Sequence, residues 1–563
     1  MFAIKQSVAA KIEQILAEYE IKSDAVPLFE IPADVKNGDL SFPCFRLAKE
    51  MHKSPISIAT ELCEKLGKLQ FIEKSTAMGG YLNFYIDKKY FSFLLAEIIA
   101  DKNYGKSNIG EGKTVCLDFS SPNIAKRFHL GHIGTTVIGN ALRNMFDFCG
   151  YKTVSINYLG DWGTQFGKLI VAYKMWSSHE AVEENGLSEL ENIYVKFNRA
   201  AEEDPTLADK ARLAFREMEN GNAEYLEIWR YFKEISIREY MKTYSLLNIS
   251  FDSFNGESFF SDKMPAIVDE LKQKDLLTIN DGASVVDLSK YNMPPALILK
   301  RDGSTLYPTR DIAAAVWRKK EYDFYKCVYV TSSGQSLHFA QWFKVVELMG
   351  YDWAKDLVHV PYGTMSFGGE KLASRTGNII HLDDLFSSAV EKAEKIISEK
   401  NSQLINKRET AVAVGCGAIV FNALSNSRIK DTSFDWDSAL SFEGNTGPYV
   451  QYTYARASSV LRKAGTNVKI PDDYTPSDEE IALIKLLCSF QDKVLQALSD
   501  YEPSEITRYA LELCSAFNVF YHNCPVLKSE GDTRLFRLSL TAAVREILGE
   551  SLDLLGIKRT EEI

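Results

Sequence analysis

Thr114-Val115-Cys116-Leu117-Asp118-Phe119 is an apolar run of strand length, and Ser120-Ser121-Pro122-Asn123 interrupts it with turn chemistry. Apolar residues then recur at helical spacing over 133–148 and stop before Gly150, a residue suited to the left-handed position that follows a helix. Val154-Ser155-Ile156-Asn157-Tyr158 reads as the next strand. Strand, loop, helix, strand is a βαβ unit. It implies a parallel sheet whose ligands bind beyond the carboxyl ends of the strands.

Outward from this unit, strand-like segments at 296–299, 328–331 and 358–360 alternate with helical patterns at 311–320 and 338–349. That alternation predicts an α/β fold, a Rossmann-like doubly wound parallel sheet, over 111–383. The charged, helically patterned residues from about 180 to 250 read as an insertion between sheet segments. Upstream, 1–86 forms a small α/β module, with helical spacing over 8–20, 45–52 and 55–66 and strand alternation over 81–86. Gly, Lys, Asn and Ser concentrate at 101–113, so 87–110 is expected to be a linker. Strands vanish beyond about 384. Apolar periodicity over 410–426, 449–464, 478–500, 503–523 and 534–555 predicts a helical connector at 384–446 and an all-α bundle at 447–563.

The chain has 563 residues, too many for one hydrophobic core, and 45% hydrophobic with 25% charged residues is a folded, globular composition. Its net charge of -11 opposes polyanions, so a nucleic-acid partner would need locally concentrated Lys and Arg. The nine cysteines are scattered without a CxxC pair, which points to reduced thiols, a cytoplasmic setting and no structural zinc. No secretory signal opens the sequence and no apolar run reaches the length of a membrane span, so no membrane partner is expected.

Gly110-Glu111-Gly112-Lys113-Thr114 imitates a phosphate-binding loop, but Ser107 stands where that motif needs glycine, and the segment precedes a strand when it should follow one. Lys126-Arg127-Phe128-His129-Leu130-Gly131-His132-Ile133-Gly134 lies instead between the first strand and its helix. Unpaired N–H groups and the positive end of the helix dipole favour phosphate there. His129 and His132 can donate to its oxygens, and Gly131 leaves room for a flat adenine. Two surface histidines beside a turn would carry the same spacing. A second element, Gly368-Gly369-Glu370-Lys371-Leu372-Ala373-Ser374-Arg375-Thr376-Gly377-Asn378, sets two cations four apart in a glycine-flanked loop. Such a loop can close on a polyphosphate and stabilise a departing pyrophosphate, although an exposed basic turn reads alike.

The HxGH at a βα junction, followed far downstream by this basic loop, resembles the HIGH and KMSKS signatures of class I aminoacyl-tRNA synthetases. Asp118-Phe119-Ser120-Ser121-Pro122-Asn123-Ile124-Ala125-Lys126, Gly160-Asp161-Trp162-Gly163-Thr164-Gln165-Phe166-Gly167 and Leu306-Tyr307-Pro308-Thr309-Arg310-Asp311-Ile312-Ala313 narrow the resemblance to the arginyl-tRNA synthetase family. Gly447-Pro448-Tyr449-Val450-Gln451-Tyr452, Phe517-Asn518-Val519-Phe520-Tyr521 and Gly38-Asp39-Leu40-Ser41-Phe42 extend it over essentially the whole chain. Departures exist: Lys371-Leu372-Ala373-Ser374-Arg375 lacks the second lysine of KMSKS, and the resemblance lets Lys126 stand in for it. Arg127 replaces a frequent proline, and Ile563 stands where relatives usually have methionine.

Recognition of a planar guanidinium calls for a carboxylate that can accept two parallel N–H bonds, with another acceptor nearby. Tyr307 and Asp311, four apart at the start of a helical pattern, meet that need; an acid in a helix's first turn also fits Asp311 as a dipole partner. The resemblance assigns Tyr307 and Asp311 to the guanidinium and Asp118, Ser121, Asn123, His132 and Gln335 to the rest of arginine. It also implies that ATP, carrying Mg2+, meets His129, Gly131, His132 and Lys371, with Lys126 and Arg375 assisting catalysis. Tyr452 and Arg456 would contact tRNA(Arg), unless the tyrosines of that helix are bundle core. The implied reaction forms arginyl-adenylate and transfers arginine to tRNA that must already be bound, in an enzyme expected to be monomeric. The rival readings are a HxGH nucleotidyl transferase acting on a small coenzyme precursor and a catalytically silent tRNA-binding relative.

Overall fold

The computed structural model describes residues 2–21, 25, 28–32, 34–367, 381–465 and 469–563. The chain divides into two compact units: Met1–Gly105 with Arg456–Asp492 and Glu512–Leu548, and Lys106–Ala455 with Lys493–Leu511 and Gly549–Ile563.

The second unit holds the βαβ motif. Its four-stranded sheet comprises β1 (Thr114–Asp118), β2 (Lys152–Ile156), β3 (Lys326–Ser332) and β4 (Leu357–Tyr362), all parallel in the order β4-β3-β1-β2. Helix α1 (Ile133–Phe148) links β1 to β2 and ends ahead of Gly150, whose φ is +82°. The chain then returns on the other side of β1, so the strand order reverses between β1 and β3, where an open α/β sheet leaves a crevice. Parallel strands are covered on both faces, and Val115, Cys116 and Leu117 are all fully buried. On one face Cys116, Ile156, Cys327 and Tyr329 pack with Ile312 and Ala315 of α2 (Tyr307–Tyr322) and with Phe339, Trp342 and Val346 of α3 (Ser336–Leu348). Each such buried aliphatic or aromatic side chain contributes about 1.5–3 kcal/mol. The helical insertion is present as His179–Asn185, Leu187–Glu203, Thr206–Glu219 and Ala223–Leu246.

Four sequence expectations need correction. Residues 87–110 are not a linker throughout, because Lys88–Ala100 is a helix that buries Tyr90, Phe91, Leu94, Leu95 and Ile98. Ala296–Leu299 is a strand, but it pairs antiparallel with Ala283–Val286 in a separate sheet with Thr278–Asn280. Its alternation of buried Ala296 and Ile298 with 39% exposed Leu297 is that of a one-faced strand, not of one buried on both sides. Strands do not vanish after 384, because Thr432–Phe434 pairs in parallel with Met365–Phe367; three residues are too few to show a period. The pattern at 478–500 is two helices, Asp478–Cys488 and Phe490–Ser499.

In the first unit Tyr81–Ile86 is the central strand between Leu40–Pro43 and Ile72–Met78, antiparallel to both. Asp39 accepts the Ile86 N–H at 2.7 Å and pairs with Lys485, so the Gly-Asp-Leu-Ser-Phe motif fixes the edge of this sheet. Glu480, fully buried, meets Arg537 at 2.8 Å and closes a capping box with Ser477. No described helix is long and apolar enough to cross a membrane.

Candidate active site

Beyond the carboxyl ends of β1 and β3 lies a cavity of about 520 Å³, and Asp118, Ser121, Asn123, His132, Tyr307, Asp311 and Gln335 all line it. Those seven residues come from the end of β1 and the loop that follows it, the start of α2 and the turn before α3. They are the whole set that sequence reading assigned to arginine. Lys126 is exposed, and neither it nor His129 nor Gly131 is among the lining residues. Lys371 and Arg375 lie outside the described residues. Tyr452 belongs to the second unit, partly buried with its ring 6.1 Å from Phe442; Arg456 belongs to the first, donating to Asn518 Oδ1 at 2.5 Å. Tyr452 packs against a hydrophobic cluster of Val390, Ile397, Val414 and Phe442, which lies in 384–446 and not in the bundle.

The β1–α1 loop follows an unusual path. Ser120, Ser121 and Ala125 have φ of 68°, 45° and 60°, a left-handed conformation that costs a non-glycine residue about 1–3 kcal/mol. Hydrogen bonds from the insertion helix Ala223–Leu246 hold it there. Tyr240 Oη lies 2.8 Å from the Asn123 carbonyl and 2.7 Å from that of Lys126, the Ala125 N–H donates to Ser236 Oγ at 2.8 Å, and Tyr244 Oη lies 2.7 Å from Ser120 Oγ. Asn123 also packs so tightly on Gly160 that a Cβ there would stand 1.9 Å from Asn123 Oδ1, so any larger residue would displace the Asn123 side chain.

At the start of α1, His132 Nδ1 accepts the His129 N–H at 3.3 Å and His129 Nδ1 accepts the Gly131 N–H at 3.1 Å, with ring centroids 3.9 Å apart. Burial, reinforced by the neighbouring His129, pushes His132 down to about 3, and burial with the nearby His381 and Lys126 also lowers His129. Both rings are therefore neutral near pH 7. Because each Nδ1 accepts a backbone N–H, the proton is on Nε2, which makes both Nε2–H groups donors.

The cavity carries three carboxylates. Asp118 pairs with fully buried Arg318 at 2.7 Å and accepts from Ser121 Oγ at 2.8 Å; burial raises its pKa against the pull of that cation. Glu257 meets Arg310 at 3.0 Å and is pushed up to about 7, chiefly by burial. Asp311 has only His338 Nε2, at 2.6 Å, as an ion-pair partner among the described residues. Two carboxylates thus already hold a guanidinium, and Asp311, with a free oxygen, does not. Sequence reading missed Tyr158, Glu257, Arg318, Tyr329 and His338. Arg318 carried a signal, an arginine three and four residues after the alanines Ala315 and Ala314 and seven after Asp311, on one helical face; the rest come from distant segments with no shared pattern. Among the described residues no three His, Cys, Asp or Glu side chains are grouped to hold a metal ion.

Residues 94–436 match the family described as tRNA synthetases class I (R), catalytic domain, residues 450–563 the DALR anticodon binding domain, and residues 3–86 the arginyl tRNA synthetase N terminal domain. The arginine–tRNA ligase of Alkaliphilus metalliredigens is 48% identical over 546 residues, 96% of this chain and 96% of its own length. That of Clostridioides difficile is 48% identical over 565 residues, 100% of this chain and 99% of its own. The solved structure of Thermus thermophilus arginyl-tRNA synthetase superposes with a TM-score of 0.84 at 26% identity, covering 99% of this chain and 100% of that one.

Proposed function

The chain belongs to the arginyl-tRNA synthetase family, and from that premise we propose that it joins L-arginine to tRNA(Arg) at the expense of ATP, releasing AMP and pyrophosphate. One observation carries the reading: the single cavity that gathers Asp118, Ser121, Asn123, His132, Tyr307 and Gln335 also presents Asp311 without a permanent cation among the described residues.

In this reading the guanidinium of arginine supplies the permanent cation that Asp311 lacks, and Tyr307, 64% exposed, supplies a further acceptor. Asp118, Ser121, Asn123 and Gln335 orient the α-amino and carboxylate end. The carboxylate attacks the α-phosphorus of ATP, the bond to pyrophosphate breaks, and arginyl-adenylate forms. A hydroxyl of the terminal adenosine of the tRNA then attacks the carbonyl and AMP leaves. The protein forms no covalent intermediate; it positions the reactants and stabilises phosphate charge. The Nε2–H groups of His129 and His132 and the N-terminus of α1 supply neutral and dipolar donors, and Lys126, Lys371 and Arg375 supply cations. Magnesium enters with ATP as the substrate complex and neutralises part of its charge.

Tyr452 and Arg456 are each assigned to tRNA contact, the 1–86 module to tRNA, 111–383 to catalysis and 447–563 to the anticodon, in a cytoplasmic monomer. A small-coenzyme nucleotidyl transferase would leave residues 450–563 without a role. The test is ATP–pyrophosphate exchange. Exchange that needs both arginine and cognate tRNA is expected, and its absence with both present would overturn the proposal.

A further inference from the structure

Tyr158 follows β2 and lines the same cavity as Asp311 and Glu257. Its hydroxyl is buried and has no hydrogen-bond partner among the described residues. The charged side chains that influence it are Asp311, Glu257, Arg310 and Arg318, with the Arg318 guanidinium 5.2 Å from its ring centre. Buried hydroxyls are almost always paired, and one left unpaired in a substrate cavity lowers stability without a structural return. A guanidinium carries five N–H donors in a fixed plane, more than one carboxylate with an oxygen committed to His338 can accept. A phenol beside Asp311 can accept one N–H while donating its own proton to a carboxylate.

We propose that the Tyr158 hydroxyl is a specificity-determining contact for arginine, accepting a guanidinium N–H that Asp311 and Tyr307 leave unpaired. The proposal rests on the arginine-activating reading of this site. Burial raises the ionisation of Tyr158 well beyond the physiological range, so the group acts as a neutral phenol throughout.

The experiment is Tyr158→Phe in the full-length enzyme, compared with the parent by pyrophosphate exchange in the presence of cognate tRNA and by thermal melting. The variant is expected to raise KM for arginine about ten-fold with kcat within about two-fold and KM for ATP unchanged. Its melting temperature is expected to equal or exceed that of the parent, since a partnerless polar group is removed. An unchanged KM for arginine, a parallel loss for ATP, a lower melting temperature or a failure to fold would each overturn the proposal. Parent enzyme that shows no arginine-dependent exchange would instead overturn the reading on which it rests, so the two failures are distinguishable.

Discussion

Asp311→Asn keeps the size and shape of the side chain that the cavity places beside Tyr307 and removes its charge. In the parent, Oδ2 is committed to His338 Nε2 at 2.6 Å, and Oδ1 has no hydrogen-bond partner among the described residues. In the variant the amide can still meet His338 after a change of tautomer, so local packing is expected to survive. What is lost is the charge-assisted component of the bonds to the guanidinium. Charged hydrogen bonds contribute roughly 1.5–3 kcal/mol each, and an amide N–H turned toward a cation adds repulsion, so about 2–4 kcal/mol of transition-state stabilisation should disappear. That is about 30- to 900-fold in kcat/KM for arginine. The assay is pyrophosphate exchange at saturating tRNA, with arginine and ATP varied separately. ATP should keep its KM within about three-fold, because among the described residues Asp311 is paired with His338 and not with His129, His132 or Lys126. Equal losses for both substrates, or a collapse of melting temperature, would show that Asp311 holds the site together and does not read arginine.

Arg318→Met should lower stability by about 3–5 kcal/mol by leaving Asp118 buried and unpaired, seen as a lower denaturation midpoint. Tyr240→Phe removes the hydroxyl that meets the carbonyls of Asn123 and Lys126; a loss of about 1–2 kcal/mol and a lower kcat are expected, measured by melting and exchange. Burial holds His132 down to about 3 and His359 to about 4, whereas an unfolded chain protonates histidine near 6.5. For a base with a depressed folded value, this contribution to stability is complete above the unfolded value and is lost as pH falls toward 3–4. Each should cost about 2 kcal/mol by pH 5, and His359→Gln should flatten that slope in melting scans between pH 7 and 5. With a net charge of -11, tRNA affinity should fall with salt along a slope that reports few phosphate contacts for so large a ligand, measured by filter binding across salt concentrations.

The parallel sheet was legible because its signal is local: β1, its loop and α1 occupy one continuous stretch, and Ile133–Phe148 is a helix over the range its spacing predicts. Ala296–Leu299 was legible as a strand but not as a member of the right sheet, since pairing depends on a partner that no period encodes. The seven residues that motif resemblance assigns to arginine come from three separated segments and line one cavity. Glu257, His338 and Tyr158 were not legible, because each is an ordinary residue until folding sets it against Asp311.

By itself the sequence determined which backbone would form at the β1–α1 junction and which residue types would stand there, through turn chemistry, helical period and the two histidines at a helix start. Tertiary structure alone decided the electrostatic state of the site. Asp118 and Glu257 are paired with Arg318 and Arg310, Asp311 has only His338 among the described residues, and His129 and His132 are neutral donors. The physical reason is that desolvation and charge pairing depend on distances across the fold, and residues far apart in the chain acquire those distances only when it closes around the cavity.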